Sequence, residues 1–381
     1  MFFMKSTAIV ILTLGTILQS FGQTGQNDDR ELEEFYKLIK SRPIYSSLHE
    51  TLKQDSIGPV VFRDVDYQIR LADKGLNLEE NLVVLKNPHS DSDFPLSFSV
   101  IYKDRIISLF EPGKFACYDL SMNRDLELEK KLNKMTFKYH WIIDNKLVAK
   151  SGGTLYTWND DNEWESFQKK NPMNKQPKLF EDDRFIVYFQ CQGEFGGTIY
   201  FYDKQSKNVH ITEATCPNSV LKQNGKYLVL STLGHMMGSV DLKSIENPTM
   251  LPRLKDIKKS KLSEMQKYNI GYADSSNYAK NVFEYYDMLA FSSFVKDDKV
   301  VYWVHWKNFN FLAEINNNVI SIVDPLFMND EIYTHNPVTT MYNNGLVFIN
   351  LDFYGIGGER EVSFILVEKD RITKVDWGQK H

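Results

Sequence analysis

The stretch DRFIVYFQCQGEFGGTIYFYDKQSKNVHIT, residues 183–212, decides how the rest of the chain is read. An aspartate turn opens a strongly apolar run, Phe185 to Phe189. The glycine loop GEFGG leads to a second run, Thr198 to Tyr202, and the polar turn DKQSKN leads to a third, Val209 to Thr212. β-Branched and aromatic residues fill the runs, while Gly, Asp and Asn fill the separators. Three short antiparallel strands joined by tight turns follow from that pattern. The same opening recurs as DRIISLF from Asp104, NKLVAKS from Asn145, GKYLVLS from Gly225, DKVVYWV from Asp298 and NGLVFIN from Asn344.

Apart from one longer gap, successive starts lie roughly 38–46 residues apart, the length of one four-stranded blade. This rhythm predicts an all-β fold, a β-propeller of six or seven four-stranded blades. Seven is preferred, because residues 60–100 hold strand material for one more blade: Val60 to Phe62, Tyr67 to Ile69, Leu82 to Leu85 and Phe98 to Tyr102. A pair of β-sandwiches is the competing arrangement. The gap between Gly225 and Asp298 is too long for one unit. Within it Lys255 to Lys267 carries Ile257, Leu262 and Met265 at helical spacing, so a helical insertion is expected near 249–280. Over residues 58–381 the rhythm resembles secreted bacterial β-propeller repeat proteins in general. It lacks the WD dipeptide, the kelch double glycine and the sialidase Asp-box, so no family's active site transfers. The resemblance implies a binding platform in which loops of several blades form one face.

The amino terminus reads as an export signal over residues 1–23: Lys5, the apolar run Ala8 to Leu18, then Ser20, Phe21, Gly22 and Gln23. Its style resembles leaders of the Bacteroidetes type. The alternative, a membrane anchor, is disfavoured by the short run and the missing positive flank. Residues 24–57 read as a short N-terminal helix and linker. Leu32, Phe35, Tyr36 and Ile39 form a stripe, acids crowd its start, and Pro43 ends it. A periplasmic or extracellular protein is expected, with no membrane span in the mature chain. The net charge of −5 and the absence of a dense basic patch exclude nucleic acid as a partner. Of three cysteines, Cys117 lies in an apolar strand and reads as a buried small residue. Cys191 and Cys216 flank a hairpin and its continuation, and whether they are bridged is left open.

The chemistry is less legible. Seven residues beyond each start stand Glu111, Gly152, Gln190, Thr232, His305 and Leu351. If the apolar runs were the innermost strands, Glu111, Gln190, Thr232 and His305 would reach a channel mouth or rim, either as a ligand set or merely as solvated strand ends. Glu194 and Glu359 sit in glycine loops. They would serve as an acid and base only if held roughly 5–10 Å apart, and the glycines are explained by turns alone. His210, His235, His305 and His335 come from different units with no metal-ligand spacing, so only ring closure could unite them and no metal and no cofactor are assigned; His235, in the loop LGHMMG, is the most interesting of them and reads equally as a solvent-exposed loop histidine. Asp160 to Glu163 reads as a solvated turn rather than a calcium loop. Aromatics make up 13% of the chain. In the run from Tyr302 to Phe311, alternation puts Trp303 and His305 on one face and Tyr302, Val304 and Trp306 on the other. One set is expected at a rim, joined by Phe353 and Tyr354, unless both pack between blades. The leading expectation is a non-catalytic exported protein that binds a protein or carbohydrate through a propeller face. A polysaccharide hydrolase or lyase using Glu111, Glu194, Glu359 or His305 is one alternative. An inhibitor of a secreted enzyme or toxin, inserting the 249–280 segment, is another.

Overall fold

The recurring openings are hairpin turns. Lys103-Asp104, Asp144-Asn145, Asn224-Gly225 and Asp297-Asp298 each carry two consecutive positive φ angles, of 49 and 56°, 50 and 57°, 50 and 77°, and 49 and 62°. That is the geometry whose twist matches the strands it joins, and Asn, Asp and Gly tolerate it best. The computed structural model describes residues 60–378 apart from 64–65, 90–94, 170, 236, 308, 328–331, 333 and 352–362. The expected leader (1–23) and N-terminal helix (24–57), together with Glu359, Phe353 and Tyr354, lie outside the described residues.

Among those residues the strands form six sheets around an axis. Blade 1 holds Ser97–Tyr102, Arg105–Phe110 and Lys114–Asp119. Blade 2 runs from Tyr139–Ile143 to Trp164–Ser166, blade 3 from Lys178–Glu181 to Val209–Glu213, and blade 4 from Pro217–Gln223 to Ala279–Tyr286. Blade 5 runs from Leu289–Lys296 to Val319–Pro325 and blade 6 from Val338–Met341 to Arg371–Trp377. In every blade the apolar run after the quoted turn is the second strand, not the innermost one. The innermost strands are the less conspicuous segments that precede the turns.

The core sits between blades. Six apolar clusters fill the six interfaces, such as Trp141 and Val148 of blade 2 with Tyr188 and Tyr200 of blade 3. The last joins Ile106 and Phe110 of blade 1 to Phe348, Phe364 and Trp377 of blade 6, and so closes the ring. Six blades, rather than seven, result because the strands in residues 60–85 make no blade of their own. Gln68–Leu71 pairs in parallel with Val319–Pro325, with Val60–Arg63 outside it, and Glu79–Leu85 pairs in parallel with Arg371–Trp377. They extend blades 5 and 6 outward. Blade 1 ends differently: the helix Leu126–Leu132 covers its third strand, and the buried Glu129 accepts the Cys117 N–H at 3.0 Å. This satisfies an edge donor that would otherwise face no partner. No helix among the described residues is long and apolar enough to cross a membrane.

Candidate binding surface

The innermost strands carry small polar side chains that link neighbouring blades around the axis. Ser219 Oγ and Ser293 Oγ are 2.7 Å apart, Thr339 Oγ1 donates to Ser292 Oγ at 2.8 Å, and Asn350 exchanges two hydrogen bonds with the Ser99 backbone. Ser97 Oγ lies 2.6 Å from His140 Nδ1, while His140 Nε2 lies 3.0 Å from the Ile107 carbonyl oxygen. A carbonyl only accepts, so Nε2 carries the proton and Nδ1 accepts from the serine. Burial pushes the His140 pKa down to about 4. The serine and histidine have the geometry of a nucleophile and its base. The enclosed space beside them is only about 30 Å³, room for a water and not for a substrate. The pair therefore ties blade 1 to blade 2.

The residues singled out from sequence scatter over several blades. Glu111 is exposed on the turn after the second strand of blade 1, beside a cis bond to Pro112. Gln190 is exposed, and its Oε1 accepts from the Tyr200 hydroxyl at 3.4 Å. Thr232 is buried; its hydroxyl donates to the Ser239 carbonyl and accepts the Ala290 N–H, joining blades 4 and 5. Trp303 and His305 share one face of their strand and meet at Asn310 Oδ1, 3.2 Å from Trp303 Nε1 and 3.4 Å from His305 Nδ1. Trp303 is fully buried, and the half-buried His305 ring stacks on Phe291, with burial lowering its pKa. Trp306, on the opposite face, is buried between blades 4 and 5. His235 is exposed, and its ring centroid is 5.4 Å from that of His335, which leads into blade 6. Glu194 is exposed on the 3-10 turn Gly193–Phe195.

That turn is where an exposed surface is assembled. The insertion leaves blade 4 between its third and fourth strands and docks on the outer strand of blade 3. The Ile211 N–H donates to the Pro252 carbonyl at 3.0 Å, and a His210 ring nitrogen lies 3.0 Å from the Leu251 carbonyl oxygen. Further along, Thr198 Oγ1 donates to Asn269 Oδ1 at 2.5 Å and accepts the Gly271 N–H at 2.9 Å. The helix Glu264–Tyr268 is started by a capping box between Ser263 and Gln266. Gly196, at φ +86°, lies so close to the insertion that a Cβ there would stand 2.5 Å from Asn269 Nδ2 and from the Tyr272 hydroxyl. The result is a ledge. Phe195, 55% exposed, stacks on Tyr268, 66% exposed, with ring centroids 6.5 Å apart and planes 27° from parallel. Tyr272, 39% exposed, adjoins them at Gly196. A disulfide, Cys191–Cys216, fixes the base of the loop with a Cα separation of 4.4 Å and ties blade 3 to blade 4, whereas Cys117 is buried and free. The sequence pattern does not single out Tyr268 or Tyr272, because fold contacts alone bring them to Phe195. A phenylalanine inside an otherwise polar glycine loop is the one local hint.

No protein-family model matches the chain, and no curated protein matches it. Among solved structures, it is similar to the N-terminal domain of Nup159 at 9% identity, over 81% of this chain and 79% of that one, with a TM-score of 0.32. It is also similar to the extracellular domain of the putative hybrid two-component system BT4673 from B. thetaiotaomicron at 11% identity, over 78% and 40%, with a TM-score of 0.35. The CNH domain of AfRom2 gives 10% identity, over 75% and 94%, with a TM-score of 0.30. The class of the molecule rests on its own sheets: a six-bladed β-propeller with a helical insertion.

Proposed function

We propose that this is an exported, non-catalytic binding protein that holds a glycan on the ledge of Phe195, Tyr268 and Tyr272. The observation that carries this reading is a pair of stacked, half-exposed rings on a loop and an insertion that are both pinned to blade 3. Flat aromatic faces suit the C–H faces of sugar rings, and the exposed Glu194 carboxylate beside Phe195 is a ready acceptor for hydroxyls. Size argues for a glycan over a protein. Three aromatic side chains about half exposed offer roughly 300 Å², whereas a stable protein interface needs about 800 Å² on each side. Export is supported by the leader-like residues 1–23 and by the disulfide, which persists in an oxidising compartment such as the periplasm or outside the cell.

The test is affinity electrophoresis of the purified protein through gels containing neutral and acidic soluble polysaccharides, beside a Phe195→Ala/Tyr268→Ala variant. Retardation by at least one polysaccharide, reduced about tenfold or more in affinity for the variant, is expected. No retardation by any polysaccharide, or equal retardation of both proteins, overturns the glycan reading. Release of new sugar ends by the wild type, lost in Glu194→Gln, replaces binding with the hydrolase reading.

A further inference from the structure

The opposite end of the axis, where the innermost strands finish, opens into a cleft of about 600 Å³. This lies within the range of small-molecule sites. One side of it is apolar, with Val220, Val295 and Met341 from blades 4, 5 and 6, and a chain of charges runs inward along the other. From the rim, Lys169 Nζ lies 2.6 Å from Asp144, Asp144 lies 2.9 Å from Lys204, Lys204 lies 2.7 Å from Glu181, and Glu181 lies 2.7 Å from Lys178. Lys222 pairs separately with Asp182 at 2.6 Å.

The inner end of this chain is unbalanced. Glu181 accepts from both lysines and from the Asp144 N–H at 3.0 Å. Lys178, only 11% exposed, carries three donors and has Glu181 as its one hydrogen-bond partner among the described residues. It lines both the small enclosed space near His140 and the cleft. The enclosed space has room for a water on one remaining donor, which leaves the other to whatever fills the cleft.

We propose that this cleft is a second binding site, for a small organic monoacid whose carboxylate sits on Lys178 and whose apolar body lies against Val220, Val295 and Met341. A phosphate dianion is disfavoured because Lys204, Lys222 and Lys169 are already matched by Asp144, Glu181 and Asp182. An amine finds Asp144, Glu181 and Asp182 already paired, and Asp183, which also lines the cleft, is exposed to solvent on the turn before Phe185. Burial also lowers the Lys178 pKa despite Glu181 beside it, so an incoming anion relieves an unfavourably buried cation. This inference is independent of the glycan ledge, which lies on the insertion and not at the axis.

The experiment is isothermal titration of the full protein with 4-phenylbutyrate and with decanoate, each beside its neutral amide. The acids are expected to bind about tenfold or more tightly than the amides. Lys178→Met should abolish that preference. Val295→Trp, which fills the cleft without touching the ion-pair chain, should weaken acid and amide alike. Melting curves of both variants report whether the fold is kept, and retention by polysaccharide gels should be unchanged. Equal binding of acid and amide, no binding of either acid at millimolar concentration, or undiminished acid binding by a folded Val295→Trp protein overturns the proposal.

Discussion

His140, which is buried, and Asp241, which is largely buried, are two titratable groups that act on stability in opposite directions over the same pH range. His140 is held neutral by burial with a pKa pushed down to about 4. Below its ordinary value near 6.5 the unfolded chain takes up the proton first. Its stabilisation is therefore complete above about pH 6.5 and is lost as pH falls toward 4, a total of about 3 kcal/mol. Asp241, on the third strand of blade 4 near Lys243, is raised to about 6, chiefly by burial. Between its ordinary value and 6 the folded protein holds the extra proton, so this contribution falls as pH rises, again by up to about 3 kcal/mol. The wild-type curve between pH 4 and 6.5 should therefore be flatter than either group alone would make it. Urea unfolding at pH 4.5 and 7 separates the two. His140→Asn should be relatively more stable at pH 4.5 than wild type, and Asp241→Asn relatively more stable at pH 7. If both variants keep the wild-type pH dependence, neither group titrates as its burial requires.

At the scale of elements, the ledge depends on how the GEFGG loop is held. The disulfide anchors its base, the Gly193 N–H points at Cys191 Sγ at 3.4 Å, and Gly196 admits the insertion. Gly196→Ala adds a Cβ where Asn269 and Tyr272 already stand, at a φ of +86° that favours glycine. It should part loop from insertion and cut glycan affinity several-fold while the melting temperature moves little. Cys191→Ala/Cys216→Ala removes a cross-link spanning a separation of 25 residues and should cost roughly 3 kcal/mol by chain entropy. An unchanged melting temperature for that pair would mean the bridge contributes nothing to stability. Much at this scale is legible in the sequence. Turn chemistry and runs such as Phe185 to Phe189 locate the second strands, because those strands are apolar on both faces. The innermost strands are harder to read, since Ser97, Ser99, Ser219 and Ser292 replace the expected apolar alternation with hydroxyls that bond within the blade or to the adjacent one. The insertion is legible as a break in rhythm around Lys255 to Lys267. Its docking on blade 3 is not, because that rests on Thr198, Asn269 and Gly271 meeting through space. The ledge inherits the same obstacle.

For the whole molecule, the telling feature is how the ring is tied at its ends. Strands from residues 60–85 look like the start of another blade because pattern reports strand character but not its partner. Their partners lie about 250 and 290 residues further along, at Val319–Pro325 and Arg371–Trp377, and the pairing is parallel. The N-terminal segment passes from the edge of blade 5 to the edge of blade 6 and then into the innermost strand of blade 1. It therefore straps residues 68–85 to the last two blades. Asp324 fastens the strap between its two strands, its carboxylate accepting the Asn77 and Leu78 N–H groups at 3.1 and 3.0 Å, while Glu80 accepts the Phe327 N–H at 2.9 Å. Asp324→Ala leaves the half-buried Leu78 N–H and the more exposed Asn77 N–H without their acceptor and should cost about 1–2 kcal/mol. The loss should be local before it is global, since strap residues such as Ile69, Leu71 and Ala72 belong to the clusters of blades 4 to 6, while the clusters that join blades 1 to 4 contain none. Hydrogen exchange followed by mass spectrometry should then show faster exchange in Glu79–Leu85 and Arg371–Trp377, with the second strands of blades 2, 3 and 4 unchanged. Uniform acceleration around the ring would mean that the strap is no separate unit and that closure is carried by the interface between blades 6 and 1 alone.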